Sequence, residues 1–177
     1  MKDQARKQAL QARRLAHAAG QGAAALHLET WLRPHGGKVL AGYLPIRTEI
    51  DPRPAMAAHD GPVCVPVIEA AAHPLRFRVW RPDAELVPGT FGIDIPAKGE
   101  WLEPDIVILP LVAFDASGFR LGYGGGFYDR TLEMLRARRP VLAVGFAFAA
   151  QELPAVPVEP TDQPLDAIIT ERGLTTF

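Results

Sequence analysis

Four glycines, Gly122, Gly124, Gly125 and Gly126, fall within five residues of the stretch D-A-S-G-F-R-L-G-Y-G-G-G-F-Y-D-R at 115–130. Glycine reaches backbone conformations closed to other residues, so such a cluster lets N–H groups close in on an anion. Arg120 precedes the glycines and Asp129 follows them. The arginine suits phosphate oxygens. The aspartate suits magnesium, which takes one or two carboxylates and completes its shell with water and phosphate. Together they point to a nucleotide phosphate and a metal. The same residues also suit a tight turn with Asp129 capping the next helix. Two common nucleotide fingerprints are excluded. No Lys-Ser/Thr pair follows the glycines, and Phe127 stands where the last glycine of G-x-G-x-x-G would fall. Tyr123, Phe127 and Tyr128 bring aromatic faces for stacking on a flat ring or for filling core.

The elements that hold this stretch follow from periodicity. Asp105–Pro110 is the strongest buried-strand signal, and Tyr128, Leu132 and Leu135 at i, i+4, i+7 give a helix over 128–138. Upstream, Lys2–Ala18 reads as a helix with Ala5, Ala9, Ala12 and Ala16 on one face and Lys2, Arg6 and Arg13 on a neighbouring strip. Those cations suit a solvated face; alternatively, Lys2 and Arg6 reach over a phosphate site. A second helix runs to about Arg33, ended by Pro34. Val39–Leu44 reads as the first strand. The loop at 45–52 past its carboxyl end is where open α/β sheets bind ligands, making Glu49 a candidate contact; the alternative is an exposed loop acid or helix-entry residue. Asp51-Pro52 suits a helix start, with Asp as N-cap and Pro at N1.

Val63–Ile68 reads as a strand in which Pro66 favours an edge or an irregularity, and Leu75–Trp80 as a half-buried antiparallel strand. Residues 81–104 read as irregular chain, with Phe91-Gly92-Ile93 available to line a pocket or to pack a loop. Val141–Phe148 and a final strand at Asp166–Glu171 flank a proline-rich excursion at 149–164 that carries Asp162. Strands alternating with helices predict an α/β fold with a mostly parallel sheet covered on both faces. The 177 residues fit one domain spanning 1–177.

Bulk properties narrow the function. A net charge of -1 gives no overall field toward nucleic acid or an anionic membrane, and no aromatic-basic interleaving appears. No apolar run approaches membrane-spanning length, and no signal-peptide core is visible. Cys64 is the only cysteine, so an internal disulfide is impossible, which suits a reducing cytoplasm. Inside an apolar run it reads as an inert buried thiol. His27 and His35 have no second ligand at metal-binding spacing. No Ser/His/Asp or Cys/His arrangement stands out, so phosphate placement with charge neutralisation fits better than a protein nucleophile.

The block R-L-G-Y-G-G-G-F-Y-D-R at 120–130 resembles the signature of the 5-formyltetrahydrofolate cyclo-ligase family. The resemblance extends to K-D-Q-A-R at 2–6, Y-L-P-I-R-T-E-I-D at 43–51, D-I-V-I-L-P-L-V-A-F-D at 105–115 and D-Q-P-L-D-A-I-I-T at 162–170. It implies a three-layer α/β/α, Rossmann-like fold. It also implies ATP- and Mg2+-dependent closure of 5-formyltetrahydrofolate to 5,10-methenyltetrahydrofolate, releasing ADP and phosphate.

Under the resemblance Lys2, Arg6, Arg120, Leu121, Gly122, Tyr123, Gly124, Gly125, Gly126, Phe127 and Tyr128 are expected to contact ATP. Leu44 and Glu49, with Tyr123 to Phe127, are expected to contact the folate, and Asp129 and Asp162 the magnesium. Arg120 and Tyr123 are the expected catalytic residues. Only small-molecule substrates are expected as partners, with the chain a cytoplasmic monomer. There are departures. Tyr123 and Gly125 stand where some members carry basic residues, Phe127 where tyrosine is common, and F-G-I-D-I-P at 91–96 lacks the acid often found before the proline. Lys2, Arg6 and Arg120 then matter more for phosphate binding. The competing expectations are a paralogue acting on another metabolite and a non-catalytic nucleotide-binding module.

Overall fold

A computed structural model describes residues 1–177. In chain order its elements are α1 (Lys2–Ala19), α2 (Ala24–Leu32), β1 (Leu40–Ala41), α3 (Arg53–Ala58), β2 (Val63–Val67) and β3 (Arg76–Val79). Then come β4 (Leu86–Pro88), β5 (Asp94–Pro96), β6 (Trp101–Leu102), β7 (Ile106–Leu109), β8 (Ala113–Phe114) and β9 (Arg120–Leu121). The chain ends with α4 (Phe127–Arg138), β10 (Leu142–Phe146), β11 (Ala167–Thr170) and β12 (Gly173–Thr176).

The central sheet has eight strands in the order β12-β11-β10-β7-β1-β2-β3-β6. From β11 to β2 every pair is parallel, while β12 on one side and β3 and β6 on the other are antiparallel. Continuous apolar sequence explains β7. Ile106 and Ile108 face one layer with α2 and α3, through Leu28, Leu32 and Ala55. Val107 and Leu109 face the other layer with α4, through Leu132 and Leu135. All four β7 side chains are fully buried. Each such burial is worth roughly 1.5–3 kcal/mol, so β7 anchors both layers. The result is the expected three-layer α/β/α arrangement. α1 lies elsewhere, packing Ala9 on Val112, Ala113, Leu121 and Val156 beyond the strand ends.

The structure corrects several sequence expectations. Pro66 does not mark an edge, because β2 lies between β1 and β3. Its ladder to β1 involves only Val63 and Cys64, with Gly42 donating to the Cys64 carbonyl. Proline's missing N–H falls where that ladder stops. Residues 81–104 are not irregular throughout. They form the β4–β5 hairpin and the edge strand β6, elements too short to read as strands. Asp166–Glu171 is not the final strand, because the chain turns back into antiparallel β12. α2 ends at Leu32 with Arg33 as its C-cap, as expected, and Pro34 follows in a 3-10 turn at Arg33–His35. The N-cap of α3 is Pro52, while Asp51 Oδ1 accepts from the Arg53 N–H at 2.9 Å.

Candidate active site

A cavity of about 620 Å³ opens at the carboxyl ends of β1, β2 and β7. The chain leaves β1 in one direction toward β2, and β7 in the other toward β10, so this is the sheet's switch point, where α/β folds bind ligands. Leu44 and Glu49 arrive from the loop after β1, and Pro66 and Ile68 from the end of β2. Arg120 and Leu121 come from β9, and the glycine loop at 122–126 runs from there into α4. Lys2 and Arg6 reach in from α1, and Asp162 from the excursion before β11. Every site residue expected from sequence therefore lines one cavity, although the segments lie far apart in the chain.

The glycine loop is built for close approach. Gly126 is the N-cap of α4 in the left-handed region, with φ 68°. The first backbone bond of the helix runs from the Arg130 N–H to the Gly126 carbonyl. The N–H groups of residues 127–129 consequently have no partner within the helix. Asp129 is thus not the cap. Its Oδ1 accepts from Arg120 Nη1 at 2.9 Å and from the Gln163 N–H at 2.9 Å. Arg120, 8 % exposed, also donates Nη1 to the Gln163 carbonyl at 3.1 Å. The expected phosphate cation is therefore paired internally through Nη1.

The cations reaching in from α1 are matched as well. Lys2 Nζ lies 3.1 Å from Glu159 and 3.5 Å from Asp162. Arg6 Nε donates to the Gly122 carbonyl at 2.9 Å and Nη1 to Asp3 at 2.9 Å. Arg130, which sequence reading passed over, donates to the Gly125 carbonyl at 2.6 Å and lies 5.2 Å from the Phe127 ring centre. It braces the loop from the helix side.

The donor set bears on the expected metal. Nowhere do three or more His, Cys, Asp or Glu side chains gather as a metal cage. Asp129 engages protein donors through Oδ1 alone, and Asp162 through Oδ2 alone. Each keeps one oxygen for a cation that draws its other ligands from water and phosphate, as magnesium does.

At the other end, Glu49 is buried, 6 % exposed. Its Oε2 accepts from the Ile46 N–H at 2.9 Å and its Oε1 from the Tyr123 hydroxyl at 3.3 Å. Burial raises its carboxyl above the usual range. The Ile46 N–H, Arg13, the Tyr123 hydroxyl and Arg47 oppose that rise. Burial and the Glu49 charge together raise the phenols of Tyr123 and Tyr128. Tyr43 Oη donates to the Ile50 carbonyl at 2.6 Å, and Gln21 exchanges two hydrogen bonds with the Asp51 backbone. The loop carrying Glu49 is thus strapped at both ends.

The family model for the 5-formyltetrahydrofolate cyclo-ligase family matches residues 1–171. A 5-formyltetrahydrofolate cyclo-ligase from Mycolicibacterium smegmatis is 33% identical over 99% of this chain and 97% of its own. That from Escherichia coli strain K12 is 40% identical over 61% of this chain and 62% of its own, and that from Haemophilus influenzae 39% over 60% of each. The match thus spans about three fifths of the length of these last two relatives. Among solved structures, the 5,10-methenyltetrahydrofolate synthetase of Aquifex aeolicus superposes with a TM-score of 0.77 at 29% identity, covering 99% of this chain and 92% of its own. That of Mycoplasma pneumoniae gives 0.72 at 25% identity, covering 96% and 98%.

Proposed function

Because the chain belongs to the 5-formyltetrahydrofolate cyclo-ligase family, we propose that it converts 5-formyltetrahydrofolate to 5,10-methenyltetrahydrofolate at the expense of ATP. The observation that supports this most is the single cavity: residues suited to phosphate, to magnesium and to a pterin, drawn from four separated segments, line it together.

In this reading the formyl oxygen attacks the γ-phosphorus and ADP leaves. N10 then attacks the activated formyl carbon, the ring closes, and phosphate departs with the former formyl oxygen. The N10 proton passes to phosphate or solvent. An amide oxygen is a poor leaving group; phosphorylation makes it a good one, and placing both nitrogens on one ligand makes closure intramolecular.

The chain's residues divide the work. The unpartnered N–H groups at the start of α4, with Lys2, Arg6 and Arg120, hold the phosphates. Asp129 and Asp162 would hold magnesium, which would neutralise charge on the phosphate oxygens when bound. Glu49 accepts hydrogen bonds from the pterin's amino and ring N–H groups, while Tyr123 and Phe127 face the folate. Arg120 and Tyr123 are the proposed catalytic residues, Arg120 at the transferred phosphoryl group and Tyr123 between the two substrates. No helix is long and apolar enough to cross a membrane. A cytoplasmic monomer acting on small molecules is the proposed working form.

Incubation with ATP, magnesium and 5-formyltetrahydrofolate should raise the near-ultraviolet absorbance of the methenyl product and release ADP. Folded protein that gives neither overturns the proposal. ATP binding without folate binding would favour a paralogue with another substrate, and ATP binding with no ADP release under any substrate would favour a regulatory module.

A further inference from the structure

We propose that Arg13 is a positioning residue for the folate end of the cavity, holding Glu49 and Tyr123 in place and tying them to the helix that carries Lys2 and Arg6. The inference rests on the proposed function for the identity of the ligand, but its geometry stands independently. Arg13 is 1 % exposed, one of the largest fully buried side chains in the molecule. A buried guanidinium is costly unless its charge is answered. No carboxylate lies within ion-pair distance of it. Its partners are neutral: Nε donates to Thr48 Oγ1 at 3.0 Å, and Nη1 reaches the Leu111 carbonyl at 3.4 Å.

Two features show where that charge acts. Thr48 precedes Glu49 in the turn closed by the Glu49 N–H on the Ile46 carbonyl, so the Arg13–Thr48 bond fixes the turn that presents the carboxylate. The Arg13 guanidinium also lies 5.6 Å from the centre of the Tyr123 ring, whose hydroxyl donates to Glu49. Arg47 lies 5.6 Å from the same ring but is exposed, with a left-handed φ of 54°. The charged and titratable groups facing Glu49 are therefore Arg13 from α1, Arg47 from its own loop, Tyr43 after β1, Tyr123 from the glycine loop and Tyr128 from α4. Of these, only Arg13 is both permanently charged and buried. It sits on α1 two turns from Arg6, so the contacts made by Lys2 and Arg6 and the pose of Glu49 share one rigid element.

The test compares wild type, Arg13→Met, Arg13→Lys and Thr48→Val for the KM of each substrate, kcat, thermal stability and the pH dependence of kcat/KM for 5-formyltetrahydrofolate. Arg13→Met should raise the folate KM about tenfold with the ATP KM within twofold. Its acid limb should move to higher pH, because Glu49 loses a cation that favours its ionised form. Arg13→Lys should restore the limb but not the full KM, since it keeps the charge without the fork to Thr48. If Arg13→Met does not fold, Thr48→Val decides, with an expected threefold rise in folate KM and an unmoved acid limb. A folate KM unchanged in Thr48→Val, or Arg13→Met losing kcat and stability alone, overturns the inference while leaving the proposed function standing. Wild type that neither binds nor turns over the folate overturns both.

Discussion

At the phosphate end of the cavity the three cations expected at the phosphates are each paired with an acid: Lys2 with Glu159 and Asp162, Arg6 with Asp3, Arg120 with Asp129. At the folate end the carboxylate of Glu49 meets no cation at ion-pair distance and is held by an N–H and a hydroxyl, with two guanidinium groups on the adjacent ring. The first arrangement is exchangeable. Under the proposed function a phosphate oxygen would replace a carboxylate on the same cation, leaving that carboxylate free for a metal. The second is prebuilt, with a buried acid whose burial penalty is already borne by the fold. Changes at the first end should therefore act on turnover and nucleotide, and changes at the second on folate affinity.

Asp129→Ala should give the largest effect. Turnover is expected to fall about 100- to 1,000-fold, in line with losing one electrostatic contact at a reacting centre. Folate affinity should change less than threefold. Stability should drop by about 3 kcal/mol, because Arg120 is left buried without its partner. Equal losses of turnover and folate binding, measured by absorbance assay and equilibrium binding, would break the comparison and make Asp129 structural.

Glu49→Gln comes next, raising the folate KM roughly 30-fold by removing a charged acceptor while leaving the ATP KM within twofold. The same substitution tests the prebuilt cost. A carboxyl whose folded pKa is raised holds its proton longer in the folded state than in the unfolded one. Its contribution favours folding at low pH and is lost as pH rises through that raised value. Glu49→Gln should therefore raise Tm at neutral pH and lose that advantage in acid. In wild type, kcat/KM for the folate should fall on the acid side at higher pH than an ordinary glutamate would give. A lower Tm for Glu49→Gln at pH 7 would contradict the direction of the shift.

Lys2→Ala should raise the ATP KM about fivefold and leave the folate KM unmoved, a modest effect suited to a partly exposed cation. The smallest response is expected at Cys64, away from both ends. Burial pushes its thiol up to about 12. Alkylating reagents at pH 8 should leave the native protein unmodified, and Cys64→Ala should keep kcat within twofold. Rapid labelling of the native enzyme would show that β2 opens far more readily than its buried position implies.

The two ends also differ in how readable they were. The phosphate loop is contiguous, so four glycines beside an arginine and an aspartate announce it within ten residues. β7 is equally plain, because four apolar residues in a row suit only a strand covered on both faces. The folate end is assembled across the chain. Tyr123 meets Glu49 from 74 residues away, and Arg13 meets the Leu111 carbonyl from 98. Nothing local in an alanine-rich basic helix distinguishes a buried arginine from a solvated one; its i+7 spacing from Arg6 was the available signal. The hairpin at 86–96 was missed for another reason. Proline- and glycine-dense sequence reads as loop, and three-residue strands leave no period to detect.

The position of Lys2 has a practical consequence for anyone handling this protein. The residue that faces Glu159 and Asp162 is separated by one exposed methionine from whatever is joined ahead of it. A group attached at Met1 is delivered to the rim of the cavity, beside Lys2 and Asp162. Phe177 instead packs on Gly118 in the turn between β8 and β9, which lines no part of the cavity. Under the proposed function, a dye attached at Met1 would report nucleotide arrival, whereas one attached at Phe177 would not.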